Sequence, residues 1–219
     1  MVENNLQRIY GELPPGVKLV AVSKFHPAEE ILEAYRAGQK CFGENRPQEF
    51  AAKARELPSD IEWHFIGHLQ TNKLKLVLPY ASLVESVDSL HLLAAIENWG
   101  SINGRVTDVL LELHLGAEET KGGFTEGEIV DILGNTYPHV RFCGLMGMAT
   151  NTDDESVVEA DFIRIKELKD RLDAMFPGLE NFKELSIGMS HDWKIAVRHG
   201  ATIVRIGTAI FGPREYPSR

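Results

Sequence analysis

The chain has 219 residues and 24.5 kDa, one large domain at roughly 100–200 residues each, and its 43% hydrophobic and 25% charged residues exclude the disordered and collagenous classes. Its 23 Lys and Arg against 32 Asp and Glu leave a net charge of −9 and a pI near 5.4, a field that repels nucleic-acid backbones and anionic lipid surfaces. No run reaches the roughly 18 apolar residues of a membrane span and residues 1–10 lack an apolar signal core, so a cytoplasmic protein with no membrane and no nucleic-acid partner is expected.

In chain order, a helical pattern over 5–12 is closed by Pro14, Pro15 and Gly16 and leads to a first apolar run at 18–23. Further β-rich runs follow at 40–43, 61–66, 83–87, 107–115, 140–146, 184–187 and 202–206. Between them lie amphipathic helical patterns at 28–37, 47–56, 71–78, 90–99, 126–133, 155–175 and 192–199, with Gly38 and Gly200 as stops and Thr71 as a cap. Eight strands alternating with helices predict the α/β class and a single (β/α)8 TIM barrel over residues 1–219, with an extra N-terminal helix and no second β-domain. An open doubly wound sheet gives the same local alternation. Cys41 and Cys143 lack a paired spacing and read as reduced, buried thiols without chemistry.

A barrel of this kind carries function where its strands end at the C-terminal mouth. The ends expected there are Lys24, Asn45, the loop from His64 to Gln70, Glu85, His114, Met146, Ser190 and Arg205 followed by Gly207 and Thr208. Lys24 leaves the apolar run LVAVS, so partial dehydration of its amine favours the neutral nucleophile and a Schiff base with a carbonyl. Gly207 and Thr208, followed by a helical turn, suit a phosphate, and Gly188 and Ser190 supply a second half of the same cradle. The alternative is two ordinary glycine turns.

Other polar features read more simply. His64 and His68 lack a third ligand and a metal-binding pattern, so no metal is expected, and His64 on an apolar strand reads as a hydrogen-bonded interior residue. Glu118 and Glu119 read as solvated loop charges, Met146 and Met148 as packing, and the long helix at 155–175 as solvent-facing or a subunit contact.

Six ordered blocks then add a resemblance: AVSK (21–24), FGEN (42–45) with Gln48 and Glu49, WHFIGHLQTNK (63–73), GLMGMAT (144–150), LSIGMSHD (185–192) and VRIGTAIFG (204–212). In these the chain resembles the pyridoxal 5′-phosphate (PLP) homeostasis protein family, related to the barrel domain of fold-type III PLP enzymes such as alanine racemase. The resemblance implies PLP as cofactor, covalently held by Lys24, with Ser190, Gly207 and Thr208 on the phosphate, Arg205 at the pyridine nitrogen, and Asn45 and Met146 near the ring. Phe25 stands where many relatives carry Thr and Trp193 where a smaller residue is frequent, which bears on pocket width.

An arginine at the pyridine nitrogen disfavours its protonation and weakens the ring as an electron sink. The fold-type III racemases take a catalytic tyrosine from a second domain, and here the only late tyrosine is Tyr216. The expected function is therefore a non-enzymatic, monomeric PLP carrier that buffers the cofactor and delivers it to apo-enzymes. The alternative is a PLP-dependent amino-acid racemase with water or His64 as second base, and a weaker one is a cofactor-free aldolase holding a sugar phosphate.

Overall fold

The structure is a computed structural model that describes residues 1–116 and 122–213; Glu118, Glu119 and Tyr216 lie outside the described residues. Eight parallel strands close into one barrel: β1 (Lys18–Val22), β2 (Cys41–Glu44), β3 (Glu62–Phe65), β4 (Leu83–Val87), β5 (Thr107–Glu112), β6 (Val140–Met146), β7 (Glu184–Ser186) and β8 (Ile203–Ile206). Pairing of β1 with β8, from Lys18 opposite Ile203 to Ala21 opposite Ile206, closes the ring and excludes the open sheet.

Alternation along each strand divides the apolar residues between two compartments. Val20, Cys41, Leu83, Leu110, Met146 and Ile203 fill the barrel lumen, with the half-buried Cys143 against them. Their neighbours Leu19, Ala21, Phe42, Trp63, Phe65, Val109 and Leu145 point outward under the helices. Phe50 of α3 (Pro47–Glu56) packs edge-on against both Trp63 and Phe65, with ring centroids 5.9 and 5.6 Å apart, and so seats that helix on β3.

The remaining helices are α1 (Val2–Glu12), α2 (Ala28–Arg36), α4 (Leu74–Val77), α5 (Leu90–Asn103), α6 (Glu126–Leu133), α7 (Glu155–Met175), α8 (Trp193–Arg198) and α9 (Thr208–Phe211). Side chains start three of them. Ser89 accepts from the Leu92 N–H, Asp154 from the Ser156 N–H, and Thr125 forms a reciprocal capping box with Glu128. The long α7 buries Val158, Phe162, Ile165, Leu168 and Leu172 on the barrel, so it is a packed layer with one wet face. Trp193 is likewise buried in the outer core, where it is packing rather than pocket wall.

Three expectations need correction. Thr71 caps no helix: residues Thr71–Lys73 form a 3-10 turn, without a side-chain cap bond, that runs into α4. Strand β5 stops at Glu112, because Phe124 donates its N–H to the Glu112 carbonyl and accepts one from His114, drawing the chain into a loop. Glu85 lies inside the barrel, fully buried on β4, rather than at a strand end.

Candidate functional site

Register brings the expected lysine and the expected phosphate cradle to adjacent strand ends. Ala21 pairs with Ile206, so Lys24 and the Gly207–Thr208 pair both emerge at the C-terminal mouth, side by side. Gly207 packs directly on β1: a Cβ there would lie 3.1 Å from the Val22 carbonyl oxygen, closer than a larger residue fits comfortably. The Gly207 N–H donates to Ser190 Oγ at 3.2 Å, which joins the loops after β7 and β8 into one concave edge. Arg205 N–H reinforces the joint by donating to the Gly188 carbonyl at 2.9 Å. The helical turn expected after the pair is α9, beginning at Thr208, whose side chain is exposed while Gly207 is buried.

Lys24 is half-buried, and the turn that carries it is held from behind. Lys53 donates to the Ser23 carbonyl at 2.8 Å and pairs with Glu44 at 2.6 Å and Glu49 at 2.7 Å. Ser23 Oγ donates to Glu44, and the Phe25 N–H donates to Glu49 at 2.9 Å. Burial pushes the Glu44 carboxyl up, against the opposing pull of Lys53. Phe25 itself adopts φ +69°, a left-handed conformation that costs a non-glycine residue on the order of 1–3 kcal/mol. The Glu49 bond and the Arg46 guanidinium, 4.2 Å from the Phe25 ring centre, hold it there.

Arg205 and Met146 lie below the mouth. Met146 is 1% exposed and closes the top of the lumen core, where its sulfur side would form a floor. Arg205 is 5% exposed and donates to the Ser186 carbonyl at 2.9 Å, to the Ser186 hydroxyl, and to the Gly147 carbonyl at 3.0 Å. Glu85 lies 3.5 Å from its guanidinium and accepts from Ser186 Oγ at 2.6 Å. The same carboxylate meets His64 Nδ1 at 2.6 Å. Burial alone would raise Glu85, but His64, Arg205 and Ser186 outweigh it and hold the carboxyl below its ordinary range. Burial likewise disfavours a charged His64, yet the Cys41 sulfur and Glu85 raise it to about 10.

This network corrects one expectation and supports another. His64 is the hydrogen-bonded interior residue that its strand suggests, and at 2% exposure it is no second base for a ligand at the mouth. His68 points elsewhere, to Asp88 at 2.6 Å, so the two histidines share no ligand. Asn45, after β2, has a buried Oδ1 without a hydrogen-bond partner; an amide with an open valence at the mouth suits a polar ligand. The sequence reading missed the Glu44–Lys53–Glu49 support and the acidic pair Asp88 and Glu112. Glu112 was findable by parity, since it shares the inward face of β5 with Leu110.

Residues 1–215 match the family described as "Alanine racemase, N-terminal domain". A pyridoxal phosphate homeostasis protein of Aquifex aeolicus is 42% identical over 202 residues, 91% of this chain and 88% of that one. The chain belongs to the pyridoxal phosphate homeostasis protein family. The structure of PipY from Synechococcus elongatus with PLP bound superposes with a TM-score of 0.88 at 36% identity, covering 97% of this chain and 100% of that one. Alanine racemase from Corynebacterium glutamicum shares the barrel alone, at a TM-score of 0.73 and 17% identity, with the chain spanning 62% of its length.

Proposed function

We propose that this chain binds PLP and serves PLP homeostasis as a non-enzymatic carrier, with Lys24 as a reversible covalent anchor. The observation that carries this is the β1–β8 register, which sets the Lys24 strand end beside Gly207 and Thr208, with Ser190 already bonded to the Gly207 N–H. PLP supplies an aldehyde that bonds reversibly to amines and a dianionic phosphate that needs donors. Ser190 and Thr208 would seat the phosphate by hydroxyl donation, with Gly207 holding the Ser190 hydroxyl in place through its N–H and letting the backbone approach. Asn45 and Met146 would hold the ring region, and Arg205 would supply a permanently charged guanidinium for its nitrogen. That charge is shared with Glu85 at 3.5 Å, so it is fixed in place rather than free to follow a ligand.

The orphaned Asn45 oxygen and the close-packed Gly207 fit such a group. Relatives named as homeostasis proteins and a PLP-bound PipY support the reading. It extends to a monomer in the cytoplasm that passes PLP to apo-enzymes; among the described residues no helix is long and apolar enough to cross a membrane. The direct test is borohydride reduction of PLP-loaded protein followed by peptide mass spectrometry. A phosphopyridoxyl mass on the Lys24 peptide is expected, and its presence on another lysine alone overturns the anchor. Deuterium exchange at the α-carbon of amino acids separates carrier from enzyme: rapid exchange that requires Lys24 would make this a catalyst.

A further inference from the structure

At the N-terminal end of the barrel, opposite the mouth, lies a cavity of about 440 Å³ whose lining includes Lys18, Glu62, Leu83 and Glu184, the first residues of four strands. His64, two residues further along β3, borders the same space. Here one ligand atom each from Cys41, Glu62 and His64 lie within 4.8 Å of one another: a sulfur, a carboxylate oxygen and an imidazole nitrogen. Register is the cause. Cys41 pairs with Glu62 across β2 and β3, and His64 returns to the same face of its strand as Glu62. Among the described residues no other trio of metal-ligating side chains is this close. The sequence alone offered His64 no such partners, because one comes from the neighbouring strand and the other from two positions back.

We propose that Cys41, Glu62 and His64 form a binding site for a zinc-class divalent ion at the closed end of the barrel. Thiolate, imidazole and carboxylate are the three side-chain ligands zinc takes, at about 2.0–2.3 Å, whereas calcium and magnesium require oxygen ligands. The thiolate and the carboxylate together cancel the ion's two charges. A second, independent feature prepares the histidine. His64 Nδ1 lies 2.6 Å from Glu85 Oε1, and Glu85 is itself held by the Ser186 hydroxyl at 2.6 Å. An Nδ1–H bonded to a carboxylate fixes the ring and leaves the Nε2 lone pair for a metal, the support that zinc-binding histidines use.

The neighbours are compatible with an ion. Lys18 pairs with Glu62 through Oε2 at 2.7 Å, on a half-exposed side chain, so the other carboxylate oxygen serves the metal. Cys41 and His64 are only 5% and 2% exposed, and Glu62 in front of them gives entry from the cavity. Loading sends the Cys41 thiol proton, with any imidazolium proton of His64, to the buffer, and a water from the cavity completes four-coordination.

The test uses the full chain, reduced and freed of PLP, whose own absorbance would overlap the signal. Titration with Co²⁺ should give one ion per chain, with a thiolate-to-cobalt charge-transfer band in the near ultraviolet that Zn²⁺ abolishes by displacement. Cys41→Ser should lose the band, while Cys143→Ser, at the other thiol lining the cavity, should keep it. Glu62→Gln should weaken Zn²⁺ binding about tenfold or more in competition with a chelating dye. Circular dichroism confirms that each variant is folded; if Cys41→Ser is not, Glu62→Gln and Cys143→Ser carry the decision. No charge-transfer band in the parent, a band that survives in folded Cys41→Ser or disappears in Cys143→Ser, or unchanged Zn²⁺ affinity in Glu62→Gln overturns the site.

Discussion

The two halves of the barrel mouth are built alike and charged oppositely. On one side, around β1, β7 and β8, strand ends bring together the Lys24 amine and the Ser190 hydroxyl, which the Gly207 N–H holds. On the other, around β3 to β5, they present carboxylates, with Asp88 and Glu112 lining one cavity. Arg205 lies below the mouth, bonded to Ser186 and Gly147. The lesson is that the scaffold fixes where loops converge, while residue type at each strand end decides which charge is placed there.

The largest effect that sharpens this contrast is at Lys24. Lys24→Ala should abolish the PLP-derived absorbance and the borohydride-fixed mass altogether; a variant that still acquires both places the covalent anchor elsewhere. Next is the group beneath both halves. The sequence placed Arg205 at an exposed rim, where Arg205→Ala would weaken cofactor retention in an intact barrel, but its burial against Glu85 changes the expectation. Removing the guanidinium takes away its charge-assisted bonds to Ser186 and Gly147 and leaves Glu85 to His64 and Ser186, and should cost about 3–5 kcal/mol in urea unfolding. An unchanged urea midpoint would mean that His64 and Ser186 satisfy Glu85 without the guanidinium.

Glu112 gives a smaller effect whose sign depends on pH. Burial and then the Asp88 carboxylate push its carboxyl up to about 7 in the fold, against about 4.5 in the unfolded chain, so the native chain holds an extra proton between those values. Stability therefore falls as pH rises through that window. Glu112→Gln should be more stable than the parent at pH 8, on the order of 2–3 kcal/mol, and equal to it at pH 4. A constant difference across that range would detach Glu112 from the acidic half. Last, Thr208→Ala at the exposed cradle edge should weaken PLP retention by roughly three- to tenfold in equilibrium dialysis while leaving the urea midpoint in place. Equal retention would remove Thr208 from the phosphate seat.

The barrel was legible because its signals are local. Runs such as KLVAVS and TIVRI carry strand character, Gly38 and Gly200 stop helices with positive φ, and the count of eight points to closure. Lys24, Ser190, Gly207 and Thr208 were legible for the same reason: each follows a recognisable strand by one to four residues. Glu85 was misplaced because a run such as LVESV does not say which residue faces the lumen when a bulge shifts the pairing between Val84 and Val87. Asp88 and Glu112 passed unnoticed because each acid looks like an ordinary loop or strand charge until two separate strands bring them to one cavity.

Composition, alternation and motif order by themselves determined the class of fold, the order of its elements and the lysine that ends the first strand, because these depend on neighbours within a few positions. Only closure of the barrel decided that Arg205 and His64 both meet the buried Glu85, that Ser190 meets Gly207, and that Asp88 and Glu112 line one cavity. Burial and pairing are properties of distances between segments far apart in the chain, and in a low-dielectric interior those distances set what each charge can do.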